Sequence, residues 1–299
     1  MKHEIDGILL LDKPLDLTSN KALITIKKEL NIAKAGHTGS LDPKATGLLP
    51  LCFGEATKFS SYLLNAKKTY TATGKLGFTS TTEDSEGEVT QISEKIISKK
   101  ILQEVLQKFI GKSSQIPPIY SALKLNGKAL YKYARKGQKI DDIKKREIEI
   151  YSLELLSFDF PNFVIDIEVS KGTYIRSVIR DIGENLSVGA YLTNLVRTKI
   201  ENFNLVDAHN IDTVKNMSID EFKSILIPLD KPLQHLDVIY LEKNQTLNII
   251  NGLKVDFVSQ SGLYRLYSHL KIFIGLGCVE NNILSASRLL NTTLVKIEE

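Results

Sequence analysis

Asp42 stands in the segment Gly36-His37-Thr38-Gly39-Ser40-Leu41-Asp42-Pro43, which runs on through Ala45-Thr46-Gly47-Leu48-Leu49-Pro50. Three glycines and two prolines constrain this backbone, and a rigid loop can hold one carboxylate at a fixed place. Pro43 biases Asp42 towards extended geometry. Two readings are open from the local sequence. The carboxylate is poised for nucleophilic or base chemistry, or it is the N-cap of a helix beginning at Pro43. A second group lies between Tyr120 and Arg146. Lys124, Lys128, Lys132, Arg135, Lys136, Lys139, Lys144, Lys145 and Arg146 outnumber Asp141 and Asp142, and Tyr120, Tyr131 and Tyr133 are interleaved. Clustered cations neutralise phosphates and aromatic faces stack on unpaired bases. A solvated surface helix shows the same composition. The third group, Ser170-Lys171-Gly172-Thr173-Tyr174-Ile175-Arg176, joins a strand to a helix. It puts Tyr174 and Arg176 in a first helical turn, where the helix dipole disfavours a cation. A carboxylate or phosphate nearby would account for Arg176; by the local sequence alone an ordinary surface arginine is the commoner case.

Other chemistries lack their residues. No glycine-rich loop ends in Gly-Lys-Ser/Thr, and no Gly-x-Ser-x-Gly elbow is present, so nucleotide hydrolysis and an esterase-type triad have no support. The two cysteines, Cys52 and Cys278, exclude a disulfide framework and suit a reducing compartment. His3, His37, His209, His235 and His269 show no zinc spacing with them. The 299 residues are 42% hydrophobic and 25% charged, a globular balance that excludes wholesale disorder and fits one large domain or two unequal ones. The net charge of +4 is compatible with a nucleic-acid partner without arguing for one. The apolar run Ile8–Leu11 sits between Asp6 and Asp12, unlike a signal peptide, and no apolar stretch is long enough to span a bilayer. A soluble, cytoplasmic protein is expected.

The elements that must position these residues are legible in outline. Ile8–Leu11 reads as a buried strand, and Ser19 or Asn20 caps a helix reaching about Leu30. The glycines and prolines of 36–50 argue against long regular structure there. Residues 68–77 alternate like a strand, and Thr79–Gly87 forms a polar turn. Ser98 caps a helix through Ile110 with Leu102, Val105, Leu106 and Phe109 on one face, and Gly111 ends it. Strands follow at 148–158 and 163–169. A helix then begins at Gly172-Thr173 with Ile175, Val178, Ile179, Ile182 and Leu186 as its buried stripe. Pro228–Pro232 reads as a linker, and the tail from about Leu236 as a small β-rich domain.

These blocks, in this order, resemble the TruB family of bacterial tRNA pseudouridine synthases. The likeness runs from the Gly36–Pro50 segment through Lys68-Thr69-Tyr70, Leu76-Gly77, Gln115-Ile116-Pro117-Pro118-Ile119-Tyr120-Ser121-Ala122, Gly127, Leu130-Tyr131 and Ala134-Arg135. It continues through Ser170–Arg176, Arg197-Thr198 and Phe203. It covers about residues 6–205 closely and the tail loosely. The resemblance implies an α+β pseudouridine synthase fold with a mixed, mostly antiparallel sheet over 1–235, including the basic RNA-binding segment 120–146. A small PUA-like RNA-binding domain over 236–299 would follow. The implied activity is isomerisation of uridine to pseudouridine at position 55 in the T loop of tRNA, by base flipping, with no metal or organic cofactor. The implied partner is the T-arm of tRNA, bound by a monomer with no obligate protein partner and no membrane.

Carried over, the resemblance makes Asp42 the essential aspartate and Arg176 the arginine paired with it. Tyr70 becomes the tyrosine against the target base and a candidate for proton transfer. Tyr174 resembles a second active-site tyrosine, and His37 a histidine that receives the displaced RNA loop. Lys13 is a lysine supporting the loop or a phosphate. Lys132 and Arg135 would meet the RNA backbone. Two rival readings keep the same residues: an RNA-binding and RNA-folding protein in which catalysis is secondary, and the same chemistry on another RNA. The sequence departs from the family at four places. Asp16 replaces a glycine after Lys-Pro-x, which questions a left-handed turn there. Thr81 replaces an aspartate, removing a charge and a local hydrogen bond. Val196 replaces the first of two arginines. Glu201-Asn202-Phe203 replaces Gly-x-Phe, which implies a different backbone at that rim.

Overall fold

The computed structural model describes residues 2–138 and 143–291. Lys139, Asp141 and Asp142 of the basic segment, and residues 292–299 of the expected C-terminal domain, lie outside the described residues.

Strict alternation builds the centre of the sheet. Along Lys68–Leu76 every second residue from Lys68 is buried, and along Asn162–Val169 the buried set is Phe163, Ile165, Ile167 and Val169. That period of two puts one face against a core. The main sheet runs, edge to edge, through His209–Asn210, Gly7–Lys13, Ala45–Phe53, Ala190–Ile200, Lys68–Leu76, Asn162–Val169, Arg146–Asp159 and Gly111–Gln115. Gly7–Lys13 with His209–Asn210, and Ala45–Phe53 with Ala190–Ile200, are parallel. The other neighbours are antiparallel, so the sheet is mixed and mostly antiparallel. Helix Ile175–Asn185 lays Val178, Ile179 and Ile182 on Ala72, Phe163 and Ile165, and Lys99–Gln107 adds Leu102, Val105 and Leu106. Gly7–Lys13 is buried on both faces. Leu9 and Leu11 meet helix Ser19–Glu29, whereas Ile8 and Leu10 meet Leu48, Cys52 and Leu63. This explains an apolar run without alternation.

Three expectations about local structure are corrected. The region after Asp42 is not irregular: Ala45–Phe53 is a nine-residue strand that includes Pro50. It pairs with Ala190–Ile200 only over Ala45–Gly47 and with Ala35–His37 only over Leu51–Phe53. Pro50 falls in the gap between those partners, where a missing N–H breaks no ladder. Asp42 caps no helix, because residues 43–44 turn directly into this strand. The helix expected from Gly172 begins at Ile175, with Tyr174 as its N-cap residue.

A second sheet runs through Val238–Tyr240, Gly262–Tyr267, Phe273–Glu280, Ile283–Leu289 and Val255–Asp256. It has its own core of Ile239, Leu266, Ile274, Val279 and Leu284. It is docked rather than tethered. Leu233, just beyond the Pro228–Pro232 segment, packs with Phe59 and Leu276. Lys58 Nζ donates to Leu289 O at 3.0 Å, and Arg288 donates to Lys58 O at 3.1 Å. No helix among the described residues is long and apolar enough to cross a membrane.

Candidate active site

The loop carrying Asp42 is fixed on both sides of that residue. Before it, Ser19 Oγ accepts from Leu41 N at 2.8 Å and donates to Leu41 O at 3.2 Å. After it, Pro43 O accepts from Asp16 N at 2.9 Å and from Lys13 Nζ at 3.4 Å. Asp16 keeps the left-handed backbone a glycine would take, with φ 63, and its carboxylate pairs with Lys44 at 2.6 Å. The substitution of that glycine preserves the turn and adds a brace. Glu201 likewise has φ 50, so the rim keeps the conformation expected of glycine. Thr81 Oγ1 accepts from Glu88 N at 3.1 Å and supplies a local hydrogen bond without the charge.

Arg176 closes on this loop from the first turn of helix Ile175–Asn185. One terminal nitrogen reaches Asp42 Oδ2 at 2.9 Å and donates to Tyr120 O at 2.9 Å. The other lies 3.3 Å from Asp84 Oδ2 and donates to Thr82 O at 3.2 Å. Two carboxylates therefore offset an arginine placed against the helix dipole. The Asp42 side chain is 47% accessible and lines a concavity whose surrounding atoms lower the local dielectric. Burial raises its pKa against the opposing pull of Arg176, Asp84 reinforces the rise, and Lys13 resists it.

Asp42 opens into a cavity of about 320 Å³ whose walls include Tyr70, Ser121, Tyr174, Arg176 and Arg197. Tyr70 projects from the central strand. Arg197 pairs with Tyr70 across the strands, and its buried guanidinium donates to Leu48 O at 2.7 Å and to Gly39 O at 3.1 Å. It thus ties the strand of Tyr70 to the loop of Asp42. Gly47 makes this approach possible: a Cβ there would stand 2.4 Å from Arg197 O. Tyr174 is held by its backbone, its N–H donating to Gln115 Oε1 at 2.9 Å and its carbonyl accepting from Gln115 Nε2 at 3.1 Å. Burial raises the pKa of its phenol.

The structure brings Asp42, Tyr70, Tyr174 and Arg176 to one cavity. It does not bring the other sequence candidates there. Lys13 is fully buried, and its ammonium is spent on Pro14 O at 2.8 Å, Leu17 O at 2.7 Å and Pro43 O. These contacts brace the loop that carries Asp42, and burial lowers the pKa of the ammonium to about 8. His37 lies in the strand Ala35–His37, half-buried and outside the cavity lining, its pKa lowered by burial and by Arg197. Lys132 and Arg135 are exposed on and just after helix Leu130–Ala134. That helix meets the cavity wall where Tyr131 N donates to Ser121 O at 3.1 Å.

Sequence reasoning missed Asp84, Arg197 and Gln115 as parts of the site. Asp84 sat in a turn whose polarity read as solvation, yet its side chain is 7% exposed. Arg197 and Gln115 belonged to the quoted motif blocks, but a buried polar residue is indistinguishable from a surface one in a single sequence. Together, the arrangement offers an ionisable carboxylate beside aromatic walls. It can act as a nucleophile or base on a bound planar ring or its attached sugar.

Comparison with known proteins follows the same division of the chain. Residues 27–175 match the N-terminal domain of TruB family pseudouridylate synthases, and residues 238–290 match the C-terminal domain of pseudouridine synthase II TruB. The tRNA pseudouridine synthase B of Methylobacillus flagellatus is 45% identical over 279 residues, 93% of this chain and 92% of that protein. Its counterpart from Neisseria meningitidis serogroup A is 42% identical over 296 residues, 97% of this chain and 96% of that protein. Among solved structures, a chain of a Cbf5–Nop10–Gar1 complex superposes with a TM-score of 0.72 at 25% identity, over 97% of this chain and 85% of its own. A chain of an H/ACA RNP bound to a substrate RNA containing 2′-deoxyuridine shares the fold, with a TM-score of 0.70 at 22% identity, over 95% of this chain and 85% of its own.

Proposed function

The chain belongs to the TruB family of pseudouridylate synthases, and from that premise we propose that its site acts at uridine 55, in the T loop of tRNA. The coarser activity, isomerisation of uridine to pseudouridine in tRNA, comes with the family. The observation that carries the site reading is the Asp42–Arg176 pair, 2.9 Å apart, at a cavity walled by Tyr70 and Tyr174.

The reaction breaks the N1–C1′ bond, turns the uracil and joins C5 to C1′. The C5 hydrogen leaves as a proton and N1 gains one. Atoms and electrons balance within the nucleotide, so the chemistry calls for a carboxylate and a proton acceptor and for no cofactor. Asp42, ionised, serves as nucleophile or as base at the ribose, with Arg176 orienting it and favouring its charge. Tyr70 lies against the base and is the candidate for the C5 proton. Unstacking the target costs a few kcal/mol, and an aromatic face returns about 1–3 kcal/mol per base. Phosphate contacts from Lys132 and Arg135 and a contact from His37 to the displaced loop add to the binding. The separate cores of the two sheets support a catalytic domain over 1–235 and a PUA-like RNA-binding domain over 236–299. We read the enzyme as a cytoplasmic monomer acting on the T-arm.

Tritium release from tRNA transcripts carrying 5-tritiated uridine tests the position. Stoichiometric release from the unmodified transcript, abolished when residue 55 is cytidine, is expected. Equal release from both transcripts would refute position 55, and release from neither would refute the activity.

A further inference from the structure

We propose that Glu83 is a positioning residue: it clamps the turn Thr82–Asp84 onto helix Ile175–Asn185 through Ser177 and Arg180, and so keeps Arg176 aimed at Asp42. The catalytic consequence rests on the function proposed above; the mechanical one does not. Arg176 has two anchorages. One nitrogen serves Asp42 and Tyr120 O, and the other is held entirely by the turn, through Thr82 O at 3.2 Å and Asp84 at 3.3 Å. A displacement of the turn would therefore free half of the guanidinium.

The turn's grip on the helix comes from the residue between those two. Glu83 Oε2 accepts from Ser177 Oγ at 2.9 Å, and Glu83 Oε1 pairs with Arg180. Ser177 and Arg180 stand one and four residues after Arg176, on the same side of the helix. Arg180 also donates to Ile116 O at 3.2 Å, and so reaches the segment whose Tyr120 O accepts from Arg176. The Glu83 side chain is 16% exposed and that of Arg180 23%, so the pair is shielded from solvent more than a surface ion pair. Glu83 holds this place with φ 65, a conformation that side-chain-bearing residues disfavour. A glycine would relax the backbone and lose the clamp. The backbone adds a bridge between Asp84 and Leu192, with Leu192 N donating to Glu83 O at 3.0 Å, and Glu83 N donates to Ser80 O at 3.1 Å.

The test uses Glu83→Gln, Glu83→Gly, Arg180→Met and the Glu83→Gln/Arg180→Met double variant of the full chain. The first reading is hydrogen exchange of the Arg176 guanidinium in the free protein, followed by ¹⁵N NMR. At least about tenfold faster exchange in both Glu83 variants, with core amides unchanged, is expected. The second is kcat on tRNA. A fall of about tenfold with tRNA affinity within about twofold is expected, and the double variant should be no worse than the worse single one. Unchanged Arg176 exchange in folded variants would overturn the proposal. So would kcat within about twofold of wild type, or fully multiplicative losses. Glu83→Gly guards against misfolding, since it removes backbone strain along with the carboxylate. An inactive wild type would refute the isomerase reading, and the exchange measurement would still decide the clamp.

Discussion

At neutral pH Asp42 must be ionised in surroundings that favour its neutral form. Burial raises its folded-state pKa above the ordinary 3.8, and Arg176 only partly restores it. A carboxylate with a raised folded pKa destabilises the fold wherever it is charged, in full above that pKa. The cost shrinks as pH falls through the folded pKa and vanishes below 3.8. Asp42→Asn is therefore expected to raise the melting temperature at pH 7, with the gain disappearing as the pH is lowered through that window. Asp84 remains to hold Arg176 in the variant. Calorimetry of both proteins across pH checks it; a lower melting temperature for Asp42→Asn at pH 7 would mean that its pairing outweighs its burial. The residues doing this were partly legible. An arginine in a first helical turn asks for an anion, and the anion is Asp42. That a second one, Asp84, shares it was not legible, because the contact joins positions 84 and 176 through folding alone.

Helix Ile175–Asn185 and the central strands Lys68–Leu76 and Asn162–Val169 followed from periodicity, since each buries one face. The helix showed its stripe and the strands their alternation. Ala45–Phe53 was hidden, because a strand buried on both faces does not alternate and its glycine and proline read as breakers. Both have local reasons. Pro50 occupies a gap in the pairing, and Gly47, at φ 98, passes against the backbone of Arg197. Gly47→Ala is expected to lower stability by at least about 1 kcal/mol, from its strained conformation and the contact with Arg197 O. It should also reduce turnover, because Arg197 links Tyr70 to the Asp42 loop. Urea denaturation measures the first and an initial-rate assay the second. An unaltered urea midpoint would show that the strand shifts to admit a methyl group.

Across the whole molecule, the residues proposed for chemistry and those proposed for RNA capture occupy different places. The cavity holds Asp42, Tyr70, Tyr174 and Arg176, whereas Lys132 and Arg135 lie outside it on exposed chain. Charge removal at both is expected to weaken tRNA binding and to lower the slope of log K against log salt by about 2, one per phosphate contact. The rate at saturating RNA should stay within about twofold. Binding isotherms at several salt concentrations report this, and an unchanged slope would take these side chains off the RNA. The division was visible in the chain as a compact motif loop and a separate basic segment. The cavity that gathers the first group is made by folding distant segments together. The proposed role of Asp42, held by Arg176, in the isomerisation is tested by single-turnover tritium release from tRNA by wild type and Asp42→Asn, each with its tRNA affinity measured. Release by wild type, abolished in Asp42→Asn at undiminished affinity, is the predicted result. Release by folded Asp42→Asn at the wild-type rate would contradict it.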